Sequence, residues 1–200
     1  METADQIASL RAAAGRPGGP SSDFDLNPDI RLPDARRLRP AGVLVAFVPG
    51  DGGLSLILTK RSPRLRHHPG QIALPGGKQE DADPDVTAAA LREAREEVAL
   101  DPAVVDVLGC LPPHETVTGF KVTPVIALVT GPFLPVPEPG EVDEIFSVPF
   151  RHVSDLGQFQ VQSRRWRGTR RRYYCVPWGP YYIWGATARI LHGLAQRLAP

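Results

Sequence analysis

Glu93, Glu96 and Glu97 stand at i, i+3 and i+4 in the run REAREEVAL. In a helix turning about 100° per residue they share one face, so three carboxylates point at one place. Like charges one turn apart repel by a few tenths of a kcal/mol, and a divalent cation offsets that repulsion directly. Carboxylate oxygens are the hard ligands that Mg²⁺ prefers, and an ion holding few of them keeps waters and room for phosphate oxygens. Taken alone, REAREE reads better as a solvated acidic face with Arg92 and Arg95 interleaved. The loop before it changes the balance. Pro75, Gly76 and Gly77 precede the helix where the backbone must bend, and glycines there allow unusual dihedrals and close approach to a ligand or metal.

The elements that must position these groups are legible in outline. AGVLVAFVP and LSLILTKR are apolar, β-branched runs joined by GDGG, which predicts a hairpin. Asp83 and Pro84 read as N-cap and N1 of a helix running to about Ala99, with Val86, Ala90, Leu91, Ala94 and Val98 as its apolar stripe. Further strands are expected at 104–111, 122–129, 159–166 and 173–176, with one more after Glu141 and Glu144. Helices are expected at 4–14, 150–156 and 185–198. Without a regular βαβ alternation, the pattern favours a mixed sheet flanked by helices over a Rossmann layout.

These residues spell a family. GGKQEDADPDVTAAALREAREEVAL resembles the Nudix box, through Gly77, Asp83, Arg92, Glu93, Glu96, Glu97 and Leu100. Asp83 stands where glutamate is usual, eight rather than seven residues separate it from Arg92, and Ala99 replaces a glycine. The role of Asp83 is thereby left open, and Ala99 implies a helix end with no need of a left-handed glycine. Upstream, LILTKRSPRLRHHPGQIALPGG is similar to the signature of the CoA pyrophosphatase branch at Thr59, Arg61, Ser62, Arg66, Gly70, Pro75, Gly76 and Gly77, with Leu74 in place of phenylalanine. Two adjoining motifs in order are far more specific than either.

The resemblance implies an α/β/α sandwich with a mixed β-sheet in residues 41–200; residues 1–40, which it does not cover, read as an N-terminal helix and a flexible arm rich in Gly, Pro, Ser and Asp. It implies Mg²⁺ or Mn²⁺ on Glu93 and Glu97, Glu96 as further ligand or base, and Arg92 orienting the carboxylates. The implied reaction cuts the diphosphate of CoA into 4′-phosphopantetheine and adenosine 3′,5′-bisphosphate. Glu96 is the residue expected to take the proton of the attacking water. Arg61 and Arg66 are assigned to substrate phosphates, because a planar guanidinium fork matches them. Gly76 and Gly77 would let the substrate approach the backbone. Two alternatives stand beside this reading: another nucleoside diphosphate derivative as substrate, or a binding module without catalysis. The second predicts damaged carboxylates, whereas all three are intact.

Six arginines cluster in RRWRGTRRR around a Gly-Thr turn, which reads as a solvated hairpin tip; if functional, the 3′-phosphate of CoA is its sensible target. Tyr173, Tyr174, Trp178, Tyr181, Tyr182 and Trp184 read as core rather than a stacking platform. A formal charge of +1, from 23 basic and 22 acidic residues, gives no global field for nucleic acid or an anionic membrane, and neither is expected as a partner. Cys110 and Cys175 show no metal spacing and read as buried thiols of a reduced cytoplasmic protein. A homodimer is the assembly that frequency alone suggests.

Overall fold

The computed structural model describes residues 2–30, 36–166 and 168–199. In chain order the elements are α1 (Thr3–Gly15), β1 (Ser21–Ser22), β2 (Arg39–Gly50), β3 (Gly53–Arg61), β4 (Ile72–Ala73), β5 (Gly76–Lys78) and α2 (Val86–Val98). They continue with β6 (Val105–Cys110), β7 (His114–Glu115), β8 (Phe120–Val129), β9 (Val142–Pro149), α3 (Phe150–Val153), β10 (Gln160–Trp166), β11 (Thr169–Cys175) and α4 (Ala186–Leu198).

GDGG makes the expected tight turn, since Gly50 pairs with Gly53 across Asp51 and Gly52. Beyond the turn the two strands find other partners. β2 runs parallel to β8 over Arg39–Phe47, and β3 runs antiparallel to β9. The sheet is therefore mixed, in the order β1-β7-β8-β2-β3-β4 with β5, β6 and β9 joining from the side, and β10 and β11 form a separate hairpin.

Both faces of the central strands are covered, which is why AGVLVAFVP reads as a continuous apolar run rather than an alternation. Leu44 and Ala46 meet Ala90, Ala94 and Val98 of α2 on one side. Val45 and Phe47 pack on the other side into the cluster of Leu10, Phe150, Leu191 and Leu194 from α1, α3 and α4. Helices on both faces of a mixed sheet complete the sandwich. On α2 the buried apolar residues are Ala89, Ala90, Ala94 and Val98, of which Val98 contributes roughly 1.5–3 kcal/mol by its burial while the small alanines let the helix lie close to the sheet. Gly42 sets the spacing: a Cβ there would lie 2.0 Å from the Val86 carbonyl, so only glycine lets α2 approach β2 this closely.

Several details differ from the sequence reading. α2 begins at Val86, because Asp85 is the N-cap whose side chain accepts from the Ala88 N–H at 2.8 Å. Its end is left-handed after all, with Ala99 at φ 60° and ψ 30°, which turns Leu100 back into the core at 2% exposure. β11 starts at Thr169 rather than Tyr173, because Arg170–Arg172 pair with Ser163–Arg165 across the hairpin. Cys110 is exposed at the end of β6, and Cys175 is buried.

Within residues 1–40, α1 sends Leu10 and Ala13 into the main core, and the Gln6 side chain accepts the Leu54 N–H at 2.7 Å. Ser21 and Ser22 pair with His114 and Glu115. His114, fully buried, lies between Ser21 Oγ at 3.0 Å and Asp23 Oδ1 at 3.1 Å.

Candidate active site

β5 brings the Gly76-Gly77 backbone between β2 and α2, pairing Gly76 with Val43 and Gly77 with Gly42. Gly76 has φ +150°, and a Cβ there would lie 2.4 Å from the Gly42 carbonyl oxygen, so no side chain fits. At Gly77 a Cβ would lie 2.4 Å from the Glu93 carboxyl carbon. Gly76 thus lets β5 lie close against β2, and Gly77 leaves room for the Glu93 carboxylate against the backbone. The Gly76 N–H donates to Glu97 Oε2 at 3.0 Å.

Glu97 is only 4% exposed, and its carboxyl is pushed up to about 7. Burial is the main cause; the Gly76 N–H opposes it, Glu93 and Glu141 raise it further, and Arg61 lowers it. Glu93 is raised as well, by burial first, against the charge and hydrogen bond of Arg92. Two desolvated carboxylates thus face the same glycine strand and destabilise each other's charge.

Arg92 organises the rim. Its Nε and Nη2 donate to both oxygens of Asp83 at 3.0 and 3.1 Å, Nη1 donates to Glu96 at 2.9 Å, and Nη2 also reaches the Lys78 carbonyl at 3.2 Å. An ion pair with Glu93 at 3.1 Å completes the set. The hydrogen bond from Arg92 holds the Asp83 carboxyl below its usual range, so Asp83 anchors Arg92 instead of capping the helix. The expectation that three carboxylates meet at one point holds for Glu93 and Glu97. Glu96 lies farther out, with 57% of its side chain exposed.

Arg61, at the end of β3, places Nη1 3.9 Å from Glu97 Oε1, joining the upstream loop to the helix. Arg66 is exposed on that loop and makes no ion pair among the described residues. Arg61 also lines a cleft of about 750 Å³ bounded by Asn27, Thr118, Arg172, Tyr173 and Trp184. Sequence reasoning placed Tyr173 and Trp184 in the core; they are half-buried walls of this cleft. Asn27 was not singled out, and no local signal marks it, since its partner is 145 residues away.

Among the described residues no three His, Cys, Asp or Glu side chains form a ready cage for a cation. An open site suits Mg²⁺ or Mn²⁺ better, because such ions are bound through one or two carboxylates while water and phosphate fill the remaining positions. The donors present fit that demand: two hard, desolvated carboxylates beside a backbone with no Cβ in the way.

Residues 38–171 match the model of the NUDIX domain. The chain belongs to the Nudix family. The matched stretch runs from the start of β2 into the β10–β11 hairpin and contains both the Nudix helix α2 and the Arg61 loop. An uncharacterized Nudix hydrolase, NudL, of Cronobacter sakazakii is 44% identical over 163 residues, covering 80% of this chain and 83% of the relative. Its Escherichia coli O1:K1 counterpart is 42% identical over the same length and coverage. Among solved structures, the NUDIX domain of Shewanella oneidensis NrtR, crystallised with ADP ribose, is similar with a TM-score of 0.52. That likeness spans 100% of both chains at 15% identity and concerns the fold alone. The protein is a Nudix hydrolase, of a family that works on small-molecule nucleotide substrates and generally uses divalent metals such as Mg²⁺ or Mn²⁺. No described helix is long and apolar enough to cross a membrane.

Proposed function

We propose that this Nudix hydrolase cuts the diphosphate of CoA or its derivatives, giving 4′-phosphopantetheine, or its acyl form, and adenosine 3′,5′-bisphosphate. The observation that carries the reading is the contact of Arg61 with Glu97 at 3.9 Å. It joins the loop that resembles the CoA branch to the carboxylate helix, so both motifs serve one site.

Glu93 and Glu97 would hold the Mg²⁺ or Mn²⁺, with Glu96 beside them. When bound, the cation neutralises charge on the diphosphate oxygens and aligns water for attack. Arg92 fixes Glu93 and Glu96 through its fork, itself braced on Asp83. Glu96, the most exposed of the three glutamates, takes the proton of the attacking water. Arg61 binds a phosphate of the substrate, Arg66 assists from the loop, and the Gly76-Gly77 backbone admits the diphosphate without steric conflict. The unpaired cysteines suit a cytoplasmic setting.

The test is incubation with CoA and Mg²⁺ or Mn²⁺, followed by chromatography, with Glu97→Gln as control. Phosphopantetheine and adenosine bisphosphate from the wild type alone support the reading. Turnover of a different diphosphate only, abolished in Glu97→Gln, keeps the chemistry and removes CoA.

A further inference from the structure

The cleft that Arg61 shares with the carboxylate site extends to the β10–β11 hairpin, and its far end holds groups that diphosphate cleavage does not use. Arg164, Arg171 and Arg172 line it there. The whole chain carries a formal charge of +1, so four arginines around one cleft, counting Arg61, are a local concentration. Asp23, the one acidic residue lining it among the described residues, is already engaged with His114 at 3.1 Å and the Val117 N–H at 2.8 Å.

The hairpin is held as a built wall. A two-stranded ribbon alone is marginal in water. Here the Asn27 side chain bonds the backbone of Arg172 as an extra strand would, donating to its carbonyl at 2.9 Å and accepting its N–H at 2.8 Å. Arg164 lies over the Trp184 ring at 4.3 Å, and Tyr173 braces that ring edge-on at 5.1 Å. Stacking restricts the guanidinium before any ligand arrives, so less entropy is lost when its fork takes an anion. Ile72, Ala73 and Val117 supply apolar lining, and about 750 Å³ is the volume of a nucleotide-sized site.

We propose that this end of the cleft is a specificity subsite for the nucleoside end of the substrate, where Arg164 and Arg171, cross-strand partners on the hairpin face that carries Tyr173, take a phosphate monoester on the ribose. It rests on the CoA reading, because CoA carries such a phosphate remote from the bond that is cut. A nucleoside diphosphate derivative without that group would occupy the neighbouring carboxylate site and leave the arginines to water.

Two measurements on the full chain test the subsite: calorimetric binding of adenosine 3′,5′-bisphosphate and of AMP, and kcat/KM for CoA and for dephospho-CoA. The wild type is expected to favour the bisphosphate over AMP by roughly tenfold or more, as a pair of charge-assisted bonds would give. In the Arg164→Gln/Arg171→Gln double variant that preference, and the CoA to dephospho-CoA ratio, fall several-fold. Arg165→Gln, on the same hairpin but outside the cleft lining, retains the preference and so reports an intact hairpin. A wild type that treats both nucleotides alike, or a double variant that keeps the preference, overturns the subsite. Should CoA not be cleaved while the bisphosphate preference exists and depends on the arginines, the substrate reading fails and the subsite stands.

Discussion

Gly77→Ala separates the carboxylate site from the stability of the fold. Gly77 does not occupy the left-handed region, so alanine can adopt its backbone. The added Cβ would lie 2.4 Å from Cδ and Oε1 of Glu93 and 2.7 Å from Oε2. Carbon contacts settle near 3.5–4.0 Å, so the carboxylate must retreat by about 1 Å or more. The clash is with the end of a flexible side chain, which can swing outward into water, and Gly→Ala restricts the unfolded chain by about 0.4–1 kcal/mol in favour of folding. The net change in stability should therefore stay within about 1 kcal/mol. A misplacement of about 1 Å at a reacting centre costs on the order of 100-fold, equivalent to about 2.7 kcal/mol of transition-state stabilisation. The assay pairs diphosphate hydrolysis with cation titration by calorimetry and thermal unfolding by circular dichroism. Activity within threefold of wild type would refute the cradle argument, and so would loss of activity in step with unfolding. Gly76→Ala is the contrast: its Cβ would strike the Gly42 oxygen and Val43 Cα at 2.4 and 2.6 Å, which are backbone atoms, so that variant should lose the fold itself.

Ala99→Gly should stabilise the protein by about 1 kcal/mol, because alanine at φ 60° bears a left-handed cost that glycine avoids; an unchanged or lower midpoint in denaturant would contradict this. Arg92→Lys keeps the charge but loses the fork that holds Asp83, Glu93 and Glu96 together, so kcat should fall by roughly 10- to 100-fold with KM little changed. A rise in KM alone would move Arg92 from positioning to substrate binding. His192, stacked on Tyr174 at 4.3 Å, is lowered by burial and then by Arg189. Its contribution is fully present above the ordinary 6.5 and is lost as pH falls through the folded value, because the unfolded chain takes up the proton first. His192→Leu should flatten the acid side of a stability–pH curve, and an unchanged slope below pH 6.5 would remove His192 as its source.

The carboxylate helix was readable because its information is local. Three glutamates at helical spacing, a glycine pair before them and an apolar stripe all lie within about one helix length, where side-chain period sets direction. The hairpin at GDGG and the strands at 105–110 and 120–129 were legible for the same reason. What failed locally was the helix start, where Asp83, Pro84 and Asp85 offer competing caps. A pairing with Arg92, nine residues away, draws Asp83 off and leaves the cap to Asp85.

By itself, then, the sequence determined the family and the sandwich of helices on a mixed sheet, and it named the residues proposed for the chemistry. Only the tertiary structure decided how those residues differ from one another. Glu97 is buried under Gly76 while Glu96, its neighbour in sequence, faces water, because β5 covers one side of the helix and leaves the other open. Arg61 reaches Glu97 because β3, which carries Arg61, and β5, which holds Glu97 through Gly76, both pair antiparallel with β2. The arginine hairpin becomes a wall because Asn27 clamps it from across the chain. Burial and long-range pairing depend on the whole packed chain, and no window of sequence contains them.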